Sequence, residues 1–146
     1  APSAERAEIA APVIDATLLQ RARRLIDANL TSRELTPALI ARTLGVSRSV
    51  LYRLFEPAGG VAAYVQSRRL ARIRALLTDP RERSRISDLA FRHGFVSEAH
   101  FSNAFRRAFG LSPSECRALA AEEERRRAGS EPGELYHSWV RGSTFR

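Results

Sequence analysis

The sequence predicts an all-α fold of about seven helices, and three observations carry that prediction. Apolar residues recur at helical spacing along almost all of the chain from residue 15 onward. The segments open on Ser or Thr and close on Gly or Pro, the residues that satisfy or stop a helix end. A unit of short helix, Gly turn and second helix occurs twice, at about residues 36–56 and 86–109.

The elements follow in order. Residues 1–14, "APSAERAEIAAPVI", hold few bulky apolar groups and are expected to be a linker or remnant. In "DATLLQRARRLIDANL", Leu18, Ala22, Leu25 and Ile26 form one stripe while Arg21, Arg23 and Arg24 point outward. In "LTPALIARTLG", Thr36 is placed as N-cap, Pro37 at the first helical position and Gly45 as a left-handed stop. "VSRSVLYRLFEP" starts from a Ser47 cap and ends at Pro57. The longest element covers residues 60–78, with Val61, Tyr64, Val65, Ile73, Leu76 and Leu77 on its apolar side. "RISDLAFRH" gives another helix, and the next sets Phe101, Phe105 and Phe109 four residues apart. "LSPSE" is a capping box in which Glu115 reaches back to Ser112. Beyond it, Glu122 with Arg126 and Glu123 with Arg127 are spaced for helical ion pairs. The expected domain is 15–128, followed by a tail, 129–146, whose Leu135, Tyr136, Trp139 and Val140 suit a short apolar helix docked on the domain or on a partner.

The repeat carries the functional reading. Setting Ile40–Phe55 beside Leu89–Phe105 aligns Ala41 with Ala90, Gly45 with Gly94, Ser47 with Ser97, Leu51 with Phe101 and Phe55 with Phe105, with one residue inserted in the second copy. Val46 with Leu51, and Val96 with Phe101, are placed as hydrophobic staples that set the angle at which each second helix begins. A small residue in the first helix and a Gly turn let the second cross it closely, as a helix-turn-helix requires. The second helix of such a unit lies in a major groove while its back is held by the core. The phenylalanines are then the anchor, and Glu98, Ala99, His100, Ser102, Asn103 and Arg106 the presented face. In the first unit Arg48, Ser49 and Tyr52 share a face, with Arg53 flanking; either arginine can fork onto guanine O6 and N7, or contact phosphate. Tyr52 is alternatively a half-buried core ring. Glu98 either complements the helix dipole or accepts from cytosine N4.

Charge and composition agree with a polyanionic partner. Net charge is +8, with 24 basic residues against 16 acidic, and every basic residue is Arg. Codon bias accounts for Arg in place of Lys, not for the surplus. A single cysteine excludes an internal disulfide and a cysteine-based zinc cluster, and His93, His100 and His137 lack ligand spacing, so neither metal nor cofactor is expected. No apolar run approaches the ~20 residues that span a bilayer, no secretory signal pattern opens the chain, and a cytoplasmic protein fits. A Cys116–His100 nucleophile pair lacks an orienting acid and an oxyanion loop, so no catalytic residues and no enzyme are expected. A helical protein-interaction module without specific DNA readout is the alternative, but it has no need of duplicated Gly turns, Ser caps and polar-fronted second helices.

"ISDLAFRHGFVSEAHFSNAFRRAFGLSPSECR" resembles the second helix-turn-helix of the AraC/XylS family of bacterial transcription regulators, and "IARTLGVSRSVLYRLF" resembles the first. The resemblance covers residues 17–120. It implies two helix-turn-helix units joined by one long helix, each recognition helix entering a separate major-groove segment on one face of double-stranded DNA. Carried onto this chain, the reading residues are Arg48, Ser49, Tyr52 and Arg53, then Glu98, Ala99, His100, Ser102 and Asn103. It further implies an activator working with RNA polymerase, and an effector or dimerisation domain that is not in this chain. The sequence departs from the family pattern in three places. The connection from Phe55 to Tyr64 is one residue short. Asn103 replaces a common basic residue, so that unit either reads adenine through the amide or contacts DNA weakly. Cys116 replaces an aromatic and is expected to fill core against Leu111. Seven arginines and one acid, Glu56, lie between residues 42 and 74. DNA affinity is therefore expected to fall steeply with salt, log K against log salt sloping about −0.9 per phosphate neutralised. A titration that is flat between low and moderate salt would contradict this.

Overall fold

The computed structural model describes the backbone of residues 4–130 and the side chains of residues 11–130, and that span is helical without strands. Seven α-helices follow one another: α1 (Ala4–Ala28), α2 (Pro37–Leu44), α3 (Arg48–Phe55), α4 (Val61–Leu77), α5 (Ile86–Arg92), α6 (Glu98–Phe109) and α7 (Pro113–Gly129). A 3-10 turn, Glu56–Ala58, separates α3 from α4. The all-α expectation holds. The apolar segment containing Leu135, Tyr136, Trp139 and Val140 lies outside the described residues.

Within the expected linker, residues 4–14 are helical and continue into the rest of α1. Scarcity of bulky apolar groups argues against a core, not against a helix, and Ala4, Ala7, Ala10, Ala11, Glu5 and Glu8 are all strong helix formers. Pro12 is carried inside the helix. Val13 and Ile14 are exposed, so this end of α1 finds no described surface to pack on.

The helix ends form as their sequences require. Thr36 Oγ1 accepts from the Leu39 N–H at 3.2 Å, and Ser47 Oγ from the Val50 N–H at 3.2 Å. Ser97 Oγ accepts from the His100 N–H at 3.3 Å. Both halves of the Ser112–Glu115 box are made. Each bond removes one orphan donor from a helix N-terminus, an effect worth about 1 kcal/mol per cap.

Two hydrophobic cores result. The first gathers Ala22, Ile26, Ile40, Leu44, Leu51 and Phe55 with Val61 and Val65 of α4. The second gathers Leu70, Ile73 and Leu77 of α4 with Leu89, Phe95, Phe101, Phe105 and Cys116. At 100° per residue, the α4 residues of the two cores lie on faces about 130° apart, so one helix is buried twice in two directions. Leu70, absent from the expected apolar side, opens the second face. Cys116 packs as core filler, and burial pushes its thiol above the ordinary value.

The second staple differs from expectation. Val96 is 93% exposed, and the residue before it, Phe95, is buried with its ring 5.1 Å from Phe101. The inserted residue of the second copy explains the change: the turn is longer by one, and the bulkier aromatic takes the inward place. Phe101, Phe105 and Phe109 stack edge to face at 5.8 and 4.7 Å, forming the spine of the second core. Phe105 is fully buried. Phe105→Ala is expected to lower stability by about 3–5 kcal/mol, a large part of what a small domain has, and denaturant unfolding measures it.

Candidate nucleic-acid interface

Each unit puts one helix on show by the same local device. The chain leaves α2 through Gly45 at φ +72° and leaves α5 through Gly94 at φ +83°, backbone angles that L side chains rarely adopt. It then enters α3 or α6 on a Ser cap, with the apolar residues at the fourth and eighth positions turned into the core.

On α3 the buried residues are Leu51, Leu54 and Phe55, and the exposed ones are Arg48, Ser49, Tyr52 and Arg53. The exposed set occupies about 140° of arc at 100° per residue. Tyr52 is 49% exposed, so it belongs to this front and not to the core. On α6, Phe101, Ala104 and Phe105 are buried, and Glu98, Ala99, Asn103 and Arg106 are exposed with Ser102 half-buried. These five share a matching arc, so Glu98 stands where Arg48 does, Ala99 where Ser49 does, Ser102 where Tyr52 does, and Asn103 where Arg53 does. His100 separates from them. It corresponds to the half-buried Val50 and flanks the face, its ring 6.0 Å from Phe95.

The two fronts differ in charge. The first is basic and the second mixed, with Glu98 and Arg106 on it. Among the described residues neither Arg48 nor Arg106 makes a side-chain hydrogen bond or ion pair, so both guanidinium groups are available to a partner. Arg53 is engaged: its Nη1 and Nη2 donate to the Asp15 carboxylate at 2.5 and 3.2 Å. The hydrogen bond from Arg53, and then its charge, hold the Asp15 carboxyl below the usual carboxylate range, so the carboxylate is ionised at neutral pH. Sequence reasoning could not find this contact because Asp15 is 38 residues away and borders the stretch expected to be a linker. The helical propensity of residues 4–11 was the available signal.

Cys116 is buried in the second core and His100 is exposed beside the front, with no hydrogen bond between them. No group of three His, Cys, Asp or Glu side chains among the described residues could hold a metal ion. No described helix is long and apolar enough to cross a membrane.

The arrangement matches known proteins. A family profile described as a helix-turn-helix domain covers residues 40–118. The XylDLEGF operon transcriptional activator of Pseudomonas putida is 34% identical over 99 residues, which are 66% of this chain and 30% of that protein. A crystal structure of a transcriptional regulator with an AraC-type DNA-binding domain, from Chromobacterium violaceum, is 35% identical with a TM-score of 0.67, covering 73% of this chain and 94% of that one. The C-terminal domain of AraT, a response regulator from Geobacillus stearothermophilus, is 28% identical with a TM-score of 0.60, covering 70% of this chain and 84% of that one. The matched region spans about 30% of the length of the Pseudomonas putida activator and of the transcriptional activator RhrA of Rhizobium meliloti. With its two matched helix-turn-helix units and outward-turned recognition helices, the chain belongs to the AraC/XylS family of transcription regulators and carries that family's DNA-binding domain.

Proposed function

We propose that α3 and α6 enter successive major-groove segments on one face of double-stranded DNA and read two short boxes, and that the protein activates transcription in the cytoplasm together with RNA polymerase. The observation that carries this reading is the matched pair of exposed arcs, each backed by a phenylalanine or leucine anchor and aimed by a left-handed glycine. Arg48, unpaired in the described structure, forks onto guanine, with Ser49 and Tyr52 beside it. Asn103 offers its amide to adenine, Glu98 accepts from cytosine N4, Ala99 meets a thymine methyl, and Ser102, His100 and Arg106 complete the contact. Arg53, held by Asp15, contacts phosphate. The domain boundaries follow the same reading, 15–128 for the DNA-binding domain and 129–146 for a tail. An effector or dimerisation domain accompanies this module in the reading proposed here, supported by the 70% of the Pseudomonas putida activator that lies outside the matched region.

Two boxes on one face of B-DNA lie about 34 Å apart. Helix α4 has 17 residues and is about 26 Å long at 1.5 Å per residue, so the DNA bends toward the protein or one unit sits loosely. Selection from a random DNA pool is expected to return two boxes about one turn apart, and inserting half a turn between them to abolish two-box binding; undiminished affinity would refute the paired reading.

Individual arginines separate base readout from bulk charge. Arg48→Ala is expected to lose about 1–3 kcal/mol on the selected site and to relax preference at one position. Arg126 is paired with Glu122 at 2.9 Å on the solvated end of α7, so Arg126→Ala only nudges the salt-dependent part. Arg53→Ala is expected to lose equally on selected and scrambled DNA. Binding of each variant to both DNAs at equal salt is the measurement, and a specific loss for Arg126→Ala would place the DNA on another face.

A further inference from the structure

Among the described residues α4 is the helix that both cores share, and polar contacts cross the gap beside it. The main helix pairings stay within one unit or involve α4. Grooves of about 300 Å³ and about 260 Å³ run between the units, past Leu35 and Pro37 on one side and Phe95 and Val96 on the other. Apolar packing therefore does not close the angle between the units there. Arg69 stands between the grooves, on the turn of α4 where Val65 of the first core gives way to Leu70 of the second. Its Nε donates to the Leu30 carbonyl and its Nη2 to the Ser32 carbonyl, both at 3.0 Å. Those carbonyls lie in the loop after α1, where no helical turn can satisfy them.

The far side of the same guanidinium rests on the second unit. A Cβ on Gly94 would sit 2.8 Å from Arg69 Nη1 and 3.1 Å from Cζ. Gly45, the equivalent glycine of the first unit, would carry a Cβ in open space. Both glycines need their positive φ for the turn, but only Gly94 also needs to be bare for a side chain to pass over it. A second arginine crosses at the same level: Arg33, from the loop after α1, stacks over the Phe91 ring of α5 at 4.6 Å.

We infer that Arg69, seated on Gly94 and seconded by Arg33, is a positioning brace that fixes the angle between the two recognition helices and so sets which spacing between the two DNA boxes the protein accepts. Among the described residues, neither Arg69 nor Arg33 makes a hydrogen bond or ion pair to a reading residue. The brace acts on the relation between two reading faces, because a fork bonded to one unit and lying against the backbone of the other resists hinging at the middle of α4. This extends the two-box reading and, where DNA is concerned, rests on it.

The 146-residue chain with Arg69→Met keeps most of the stem and loses the fork. Its affinity for DNA carrying one box, compared at equal salt, is expected to fall no more than that of Arg126→Ala, which also loses one charge away from the reading faces. On two-box DNA whose spacing is changed by two base pairs, a rotation of about 70°, wild type is expected to lose most of its binding and Arg69→Met to lose much less. Arg69→Lys, which cannot reach both carbonyls, is expected to fall between them. An unchanged spacing profile in Arg69→Met overturns the inference. A wild type indifferent to spacing overturns the two-box reading itself, and with it the effect of the brace on DNA.

The protein alone gives a second readout. In a double-mutant cycle by denaturant unfolding, Gly94→Ala and Arg69→Met are expected to couple by about threefold or more in the folded-to-unfolded ratio, since the clash disappears with the guanidinium. Gly45→Ala with Arg69→Met is expected to be additive. Additivity in both cycles overturns the seating of Arg69 on Gly94, and coupling confined to Gly94 supports it.

Discussion

One helix buried on two faces is the constraint on which the rest of this structure depends. Val61 and Val65 commit the first half of α4 to the first core, and Leu70, Ile73 and Leu77 commit the second half to the other. Each core is small. Neither helix-turn-helix could hold its second helix outward without a third element to pack against, because two short helices bury too little apolar surface to offset their own ordering. Sharing α4 supplies that element to both, and its stiffness relates the two recognition helices in space.

Within each unit the division of labour is the same. Apolar side chains three and four residues apart turn one side of α3 or α6 inward, which leaves a polar arc that the core does not use and on which only Arg53 is paired within the described residues. The arc is then free to vary in charge without loss of fold. Arg48 and Glu98 occupy equivalent positions with opposite charge, and the exposed Tyr52 corresponds to the half-buried Ser102. Specificity and stability are thus carried by different residues of the same helix, one set facing water and the other never meeting it.

Ion pairs tie the periphery to this frame. Arg68 donates to Asp27 at 2.8 Å and Arg53 to Asp15, joining α4 and α3 respectively to α1. Both pairs are well exposed, so water and salt weaken them and their direct contribution to stability is small. Their effect is on orientation: a forked pair restricts where a guanidinium points, and on α3 it removes one of two arginines from free exchange with a partner.

Most of the fold was determined by the sequence alone. Thr36, Gly45, Ser47, Ser97 and Ser112 mark helix ends through bonds spanning three or four residues, and such local chemistry acts wherever the chain goes. The repeat, the anchors and the two polar fronts follow from the same short-range periodicity. Tertiary structure decided what depends on residues distant along the chain. It turned Phe95 inward and Val96 out, because which of two adjacent apolar residues fills a pocket depends on the pocket. It set His100 off the reading arc, engaged Arg53 with Asp15, and brought Arg69 against Gly94 and the Leu30 and Ser32 carbonyls. Each of these is a contact between segments that no spacing rule connects; the fold brings them together by packing two cores on one helix, and only then does a side chain acquire a partner.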